Sequence, residues 1–449
     1  MLRRAGLLLT IFALLFSTGC AAIGMDVETQ LRPPLVAGEQ EQIQKALSTY
    51  ISSVGMQDNY VLKYPKDGEY RSAFIVEDLD GDGTEEAVAF YRTGPASNQT
   101  HLNLLRQVEG EWQSVFDMEG ISTDIDSVSF GDLDGDGWKE LFVGWSMYNS
   151  RNHRLVLYSL TGYTFTERFS DTYSALVVGS LTQPGQDDFL MLNISSETGG
   201  VTAKLWSMQN DFIIQRASIE LDAYIQQFLS IQLQPLSDEI NGVYVDCIKS
   251  DGMMTELLYW DGNELKTPFY GMGNNGASLT FRPVRIPASD IDGDGQLEWP
   301  NCELLTGYET AEGNTDTTLR WLTTFYSWNF VTKLTVEKFS CIYNGADGYY
   351  LRLLDKMEGA VTTAYDADNR LLELLAVENG IIGDALLAVR TESLSSVTEE
   401  TTSSQPEDDR EFTFLAENNA VRYSVWFREE RRFHLNMESV RYMLTMLVA

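Results

Sequence analysis

The stretch Asp132-Leu-Asp-Gly-Asp-Gly-Trp-Lys-Glu140 decides the interpretation of this 449-residue chain. It places three carboxylates two residues apart, then a glycine turn and a fourth carboxylate, and such hard oxygen ligands are those that Ca²⁺ prefers. Two further copies occur at Asp78–Glu86 and Asp290–Glu298. Three matched copies are too many for chance at ordinary Asp and Gly frequencies.

Each loop offers a complete set of calcium ligands. Positions 1, 3, 5 and 9 supply side-chain carboxylates, and position 7 supplies a backbone carbonyl, so we expect about three Ca²⁺ ions. The predicted ligands are Asp78, Asp80, Asp82, Thr84 and Glu86 in the first loop, Asp132, Asp134, Asp136, Trp138 and Glu140 in the second, and Asp290, Asp292, Asp294, Gln296 and Glu298 in the third. The alternative is an acidic turn without metal, although four carboxylates this close require a counter-ion.

The segments on either side of the loops resemble β-strands. An EF-hand would require a glutamate at position 12 and a helix on each side, but Ala89, Val143 and Asn301 occupy that position. The flanking segments 73–76 and 86–91 are apolar, aromatic and β-branched, which is typical of strands. Each loop is therefore predicted to join two strands.

A longer repeat carries the loops. The first two loops begin 54 residues apart, and degraded copies without the Asp ladder stand at 177–190 and 231–245. A hairpin turn follows each copy, at 108–112, 160–164, 208–212, 260–264 and 327–330. Four strands in roughly fifty residues is the pattern of a propeller blade, and stacked blades bury faces that one blade leaves exposed. The sequence predicts a mainly β fold with five recognisable blades between residues 60 and 338, and leaves a sixth open.

The Phe130-Gly-Asp-Leu-Asp-Gly-Asp-Gly137 run and its copies resemble the FG-GAP, or VCBS, repeats of integrin-like β-propellers. The chain as a whole is similar to the VCBS-repeat lipoproteins of low-GC Gram-positive bacteria. This resemblance implies an FG-GAP-type β-propeller with Ca²⁺ loops, and it implies no particular cellular role. The degraded third and fourth copies depart from the pattern, so no Ca²⁺ is expected there.

The N-terminal residues predict export of the protein from the cytoplasm. Arg3 and Arg4 precede a short apolar run and Ser17-Thr-Gly-Cys20, which together predict a signal peptide over 1–19. The small residues before Cys20 resemble a bacterial lipobox, which implies a diacylglyceryl thioether on Cys20 and a lipid anchor at the extracytoplasmic face of the cell membrane. An ordinary secretory signal is the alternative. Residues 20–38 are interpreted as a tether.

The charge of the chain argues against nucleic-acid partners. The sequence has 66 acidic residues against 32 Lys and Arg, for a net charge of −34. Such a charge disfavours nucleic acid and anionic membrane surfaces. Beyond Cys20 only Cys247, Cys302 and Cys341 remain, which predicts buried thiols and at most one bridge.

Helices are expected at both ends of the repeat region. Residues 39–338 are predicted to form the propeller with an N-terminal helix whose apolar stripe contains Ile43, Leu47 and Ile51. Residues 340–449 are predicted to form an α+β domain with a mobile loop at 391–411 and a last helix capped by Asn436. The competing interpretation is that this region closes the propeller as a further blade.

The sequence indicates no catalytic residue. The glycine-rich 271–276 segment opens no predicted helix, and the three histidines are far apart. Trp145, Tyr148 and Trp206 could form a sugar-binding face or pack between blades. We therefore expect a non-enzymatic binding or scaffolding protein whose partner is an envelope protein or glycan. The alternative is an envelope hydrolase of glycans or phosphoesters with a central pocket.

Overall fold

The structure is a computed structural model that describes most of the chain after residue 37. The described ranges are 38–55, 60–94, 99–148, 150, 152–195, 199–250, 252–269, 279–308, 318–394, 409–418, 420–429 and 433–447. The predicted signal peptide, Cys20, all but the last residue of the tether and the 271–276 segment lie outside them, as does most of the predicted loop at 391–411.

Antiparallel sheets dominate the described residues, which contain six of them. The first sheet contains β1 Tyr60–Leu62, β2 Phe74–Glu77, β3 Glu86–Thr93, β4 His101–Val108 and β5 Glu111–Glu119. The second contains β6 Ile125–Gly131, β7 Glu140–Trp145, β8 His153–Thr161 and β9 Thr164–Tyr173. The third contains β10 Ala175–Gln183, β11 Gln186–Ile194, β12 Val201–Gln209 and β13 Phe212–Glu220.

The remaining three sheets follow in chain order. The fourth contains β14 Ile225–Pro235, β15 Asn241–Lys249, β16 Gly252–Trp260 and β17 Leu265–Lys266. The fifth contains β18 Trp299–Leu304, β19 Trp321–Asn329, β20 Leu334–Asn344, β21 Tyr349–Arg352 and β27 Leu444–Met446. The sixth contains β22 Val361–Asp366, β23 Leu371–Glu378, β24 Ile381–Ser393, β26 Val421–Phe427 and β25 Thr413–Glu417. A 3-10 helix spans Thr318–Arg320.

Tight turns link the last two strands of each of the first three sheets. Both central residues of the turns at 109–110, 162–163 and 210–211 have positive φ, between 50° and 84°. Type I′ turns have this backbone conformation, whose twist matches that of the flanking strands. The hairpin turns predicted at 108–112, 160–164 and 208–212 are therefore present, and they give the repeats a common frame.

Consecutive sheets pack face to face through apolar residues. Val88 of the first sheet shares a hydrophobic cluster with Val143 of the second, and Leu190 of the third shares one with Val245 of the fourth. Further clusters join the second sheet to the third, the fourth to the fifth, and the fifth to the sixth. This series of stacked antiparallel sheets, each of four or five strands, is a propeller-like arrangement.

The other face of the first sheet is covered by a helix. Helix α1, Glu39–Ser53, buries the predicted stripe of Ile43, Leu47 and Ile51 against that sheet. Among the described residues no hydrophobic cluster joins the sixth sheet to the first. The sheets are thus stacked in series, and the helix occupies the face on which a closing sheet would pack.

The structure places no domain boundary at residue 340. Strand β20 runs through that position, and β27 near the C-terminus pairs with β21 at the edge of the same sheet. Leu305, Ile342 and Val440 belong to one hydrophobic cluster. The division into a propeller ending at 338 and a separate domain from 340 therefore needs correction, because strand pairing and core packing continue across it.

The predicted C-terminal helix is present and short. Helix α2, Met437–Met443, is capped by Asn436, whose side chain accepts from the backbone N–H groups of Glu438 and Ser439. The chain then turns into β27 because Leu444 pairs with Leu351. Neither described helix is long and apolar enough to cross a membrane.

Candidate metal sites

The three acidic loops have the same internal hydrogen bonds. In the second loop, Gly135 and Gly137 donate their backbone N–H groups to Asp132, at 2.7 and 2.9 Å. Both glycines have positive φ, 77° and 90°, a conformation that side-chain-bearing residues rarely adopt. The first and third loops repeat these bonds from Gly81 and Gly83 to Asp78 and from Gly293 and Gly295 to Asp290.

A buried glutamate closes each loop. Oε2 of Glu86, Glu140 and Glu298 accepts the backbone N–H of the residue at position 2, at 3.1, 2.9 and 3.2 Å. These glutamates are only 1, 4 and 0 % exposed. Burial, reinforced by the neighbouring aspartates, raises the pKa of each to about 7. A nearby cation would favour their ionised form.

The structure gathers three carboxylates closely in each loop. Their ligand atoms lie within 4.8 Å of one another. The clusters are Asp78, Asp80 and Glu86; Asp132, Asp134 and Asp136; and Asp290, Asp292 and Asp294. All-oxygen donors of this kind fit Ca²⁺. The buried glutamate is a member of the first cluster, and in the second and third loops it adds a further carboxylate.

The remaining predicted ligands do not belong to the three closest carboxylate groups. Asp82, Glu140 and Glu298 are outside these closest groups, although each belongs to its loop. The residues at position 7 donate their backbone N–H groups to the aspartate at position 5, with N···O distances of 2.7 to 2.9 Å. These residues are Thr84, Trp138 and Gln296, and their predicted role as carbonyl ligands stays a prediction.

Other segments of the fold hold each loop from outside. The carbonyl oxygen at position 2 accepts a hydrogen bond in every case. For Leu79 the donor is the backbone N–H of Lys139, at 2.8 Å, and for Leu133 it is Gln186 Nε2. For Ile291 the donor is the hydroxyl of Tyr350, at 3.3 Å. The loops are therefore fixed by tertiary packing as well as by their own backbone.

The surroundings of the three clusters differ in charge. In the first loop the hydroxyl of Tyr163 donates to Asp80 Oδ2 at 2.8 Å, which raises the pKa of Tyr163. Arg106 lies near Glu86 and stacks on Tyr163, 3.8 Å from the ring centroid. In the third loop the ammonium group of Lys338 lies among the carboxylates.

The degraded third copy keeps the closing bond without the aspartate ladder. Asp188 accepts the backbone N–H groups of Leu181 and Thr182, as the glutamates do in the intact loops. Ser207 also donates its hydroxyl to Asp188. Only two residues separate β10 from β11 here, so the turn is too short to hold a cage.

Two of the three histidines, His101 and His153, lie in polar clusters. His101 Nδ1 lies 2.9 Å from Asp117 Oδ1, and Tyr91 and Asn103 donate to the other oxygen of Asp117. The hydrogen bond with Asp117 raises the pKa of His101. His153 occupies the same strand position one repeat later, 3.3 Å from Asp126. The two histidines are one repeat apart in the sequence, and this spacing could have identified them as equivalent positions.

The aromatic residues considered for sugar binding are mostly internal. Trp145 is fully buried, and Trp206 packs against Phe169 with ring centroids 4.7 Å apart. Tyr148 is 94 % exposed. Packing between sheets therefore accounts for the two tryptophans, and the three residues do not form a common binding face.

A cleft of about 610 Å³ lies between the fourth and fifth sheets. Its lining residues are Pro235, Leu236, Ser237, Asp238, Asn241, Gln296, Trp328, Asn329, Phe330 and Val331. Asp238 is the sole titratable residue among them. The cleft lacks a pair of groups for acid–base chemistry.

Comparisons with known proteins assign no family to this chain. No family model matches it, and no curated protein matches it. Solved structures that resemble it include a Bacillus licheniformis rhamnogalacturonan lyase (TM-score 0.30, 13 % identity, 72 % of this chain and 70 % of that one). Chaetomium thermophilum Sqt1 matches with a TM-score of 0.30 and 9 % identity over 81 % of this chain and 97 % of that one. Scores this low transfer neither fold details nor activity.

Proposed function

We propose that this protein is a lipid-anchored, Ca²⁺-binding FG-GAP-type β-propeller that acts as a binding or scaffolding protein at the extracytoplasmic face of the cell membrane. The observation that carries the calcium assignment is the buried glutamate that closes each acidic loop. It is repeated at Glu86, Glu140 and Glu298 with the same hydrogen bond. A buried carboxylate beside further carboxylates is unfavourable without a cation.

Calcium in this proposal has a structural role. The first two loops join adjacent strands of a sheet, and the third lies directly before strand β18. All three are held by other segments of the fold, so an ion there would stabilise the stack of sheets. Binding to the folded state alone stabilises it by RT ln(1 + [L]/Kd), about 2.7 kcal/mol at a hundredfold excess over Kd. The partner would be an envelope protein or glycan.

The calcium proposal is tested by titrating the chelated, purified chain with CaCl₂ in a calorimeter. We expect binding at the loops with Kd values of roughly 10⁻⁴ to 10⁻³ M or tighter. Asp80→Ala, Asp134→Ala and Asp292→Ala together should abolish it, whereas Asp368→Ala in an exposed turn should not. Equal heats from the triple variant and the unaltered chain would disprove the assignment.

The anchor is tested separately, because Cys20 is outside the described residues. Cys20→Ala should release the chain from membranes or block its processing, and Cys247→Ala, which removes a buried free thiol, should do neither. A Cys20→Ala chain that matures normally and stays in the membrane fraction would refute the lipobox interpretation.

A second candidate is an envelope hydrolase of glycans or phosphoesters. One observation favours it: the partly buried Asp126 and His153 and the buried Tyr173 form a polar cluster in the second sheet. Tyr173 donates its hydroxyl to Asp126 at 2.7 Å, opposite the His153 contact. The test is an assay for hydrolysis of envelope glycans or phosphoesters. Activity that His153→Gln abolishes without unfolding the chain would favour this candidate over the scaffold.

A further inference from the structure

The third acidic loop contains a cation supplied by the protein itself. Lys338 Nζ lies 3.1 Å from Asp292 Oδ2, 2.5 Å from Asp294 Oδ2 and 3.5 Å from Glu298 Oε1. The Lys338 side chain is 16 % exposed. The ammonium group thus contacts three of the four carboxylates that were predicted to bind Ca²⁺ in this loop.

A β-bulge places Lys338 there. In the pairing of β19 with β20, Phe325 faces Phe339 and Tyr326 faces Glu337, so Lys338 is the extra residue. Bulges of this kind redirect a side chain relative to the regular strand. The backbone of β20 therefore directs Lys338 towards the loop, and the length of the side chain alone does not explain the contact.

The same bulge recurs in the first three sheets without a lysine. The extra residues are Val115, Arg168 and Arg216. Val115 has no charge, and Arg168 donates its Nε to Ser159 at 3.0 Å. Arg216 stacks over Trp260 at 5.6 Å. Of these four bulge residues, Lys338 alone forms ion pairs with an acidic loop within the described part of the chain.

The first two loops have no equivalent ion pair. Within the described ranges, no Lys or Arg forms an ion pair with the carboxylates of Asp78–Glu86 or Asp132–Glu140. Arg106, which lies near Glu86, instead packs on Tyr163. A Ca²⁺ ion in the third loop would have to displace Lys338 from the oxygens that it needs, whereas the other two loops have no such competitor.

We propose that Lys338 is a tethered counter-ion that substitutes for metal in the third loop, so that this loop binds Ca²⁺ more weakly than the other two. The part that concerns Ca²⁺ rests on the proposed function of the loops. The part that concerns the ammonium group does not, because Lys338 would offset part of the negative charge of the third loop whether or not the other loops bind metal.

The test compares Lys338→Met with Lys204→Met in the full chain by calcium calorimetry. Lys204 is a matched control, since it lies on a strand of the third sheet and its Nζ is 4.0 Å from Asp171, away from any acidic loop. We expect two sites in the unaltered chain and a third at least about tenfold weaker. Lys338→Met should bring the third site to the affinity of the other two, and Lys338→Arg should keep it weak. Adding Asp292→Ala to Lys338→Met should remove it again.

Melting in chelator provides a readout that does not require calcium binding. Lys338→Met should lower the melting temperature more than Lys204→Met, and added Ca²⁺ should recover the loss. Three equal sites that Lys338→Met leaves unchanged would overturn the inference and keep the calcium proposal. An absence of heat at the first two loops would overturn the calcium proposal alone. In that case equal melting of the two lysine variants in chelator would overturn the inference too.

Discussion

Glu140 accepts a hydrogen bond from the backbone N–H of Leu133 across the second acidic loop, with 2.9 Å between Oε2 and the nitrogen. Leu133 is fully buried in the cluster between the second and third sheets. The hydrogen bond thus attaches Glu140 to Leu133, the residue through which the loop itself is anchored in the core. Hydrogen bonds and core packing of the protein therefore already hold the conformation of the loop, and a metal ion would stabilise it further.

Replacing Glu140 separates the effect of this hydrogen bond from that of the charge. Glu140→Gln keeps an acceptor for Leu133 and removes a buried negative charge. The free energy of unfolding of the metal-free chain should therefore rise by about 1 kcal/mol. Calcium affinity at the second loop should fall, because a ligand charge is lost. Urea unfolding in chelator and calcium calorimetry measure the two effects. Glu111→Gln, on an exposed residue of β5, is the control and should change neither. A metal-free Glu140→Gln chain that is clearly less stable would contradict the prediction.

The three buried glutamates predict an unusual dependence of stability on pH. Their pKa is about 7 in the folded chain against an ordinary value of 4.5, so between these values the folded state binds more protons than the unfolded state. Without Ca²⁺, the free energy of unfolding should therefore rise as the pH falls from about 7 towards 4.5. Saturating Ca²⁺ should reverse this trend, because the ion requires deprotonated carboxylates.

Melting temperatures in chelator and in Ca²⁺ across this pH range test the sign. The variant with Glu86→Gln, Glu140→Gln and Glu298→Gln should lose most of the pH dependence in chelator. A chelated wild-type chain that steadily loses stability between pH 7 and 5 would show that other groups dominate.

A buried ion pair outside the loops should be important for stability. Asp246 and Arg282 are 3.0 Å apart and almost fully buried, and they join β15 to the segment before the third loop. Asp246→Ala would leave the guanidinium unpaired and should lower the free energy of unfolding by about 3–5 kcal/mol. Glu417→Ala, which breaks the exposed pair with Arg422, should cost no more than about 1 kcal/mol.

The double variant Asp246→Leu with Arg282→Met refines this test. It should be more stable than Asp246→Ala because no buried charge is left unpaired. Recovery should be partial, since Thr255 and Ser230 also donate to Asp246 and would lose their acceptor. Similar denaturant midpoints for Asp246→Ala and Glu417→Ala would refute the importance of the pair.

Local patterns were the part of the fold that the sequence could predict. The strand–loop–strand units of the first two loops, the hairpin turns and the Asn436 cap depend on neighbouring residues, and the structure contains them. The third loop differs from the prediction, because only an isolated bridge between Ser289 and Glu298 precedes β18. The pairing of β27 with β21 joins residues far apart in the chain, so no local pattern announces it. The same limit explains the missed role of Lys338, which becomes visible only when a bulge in β20 meets a loop more than forty residues earlier.

Calcium removal should loosen the chain unevenly. If the first two loops hold Ca²⁺ as proposed, their carboxylates should repel one another in chelator and open the adjoining strands β2, β3, β6 and β7. The third and fourth sheets, residues 175–266, have no intact acidic loop and should keep their protection. The third loop should change less than the first two because Lys338 remains in place. Amide exchange reports such local opening segment by segment.

Hydrogen exchange followed by mass spectrometry, with Ca²⁺ and with chelator, provides the measurement. We expect faster exchange in chelator over 74–91 and 125–145, a smaller change over 287–304, and none over 175–266. The difference should grow at low salt, where repulsion is less screened. In Lys338→Met the 287–304 segment should respond as strongly as the first two loops, whereas in Lys204→Met it should not. A change spread evenly over all sheets, or centred on 175–266, would show that calcium does not act through these loops.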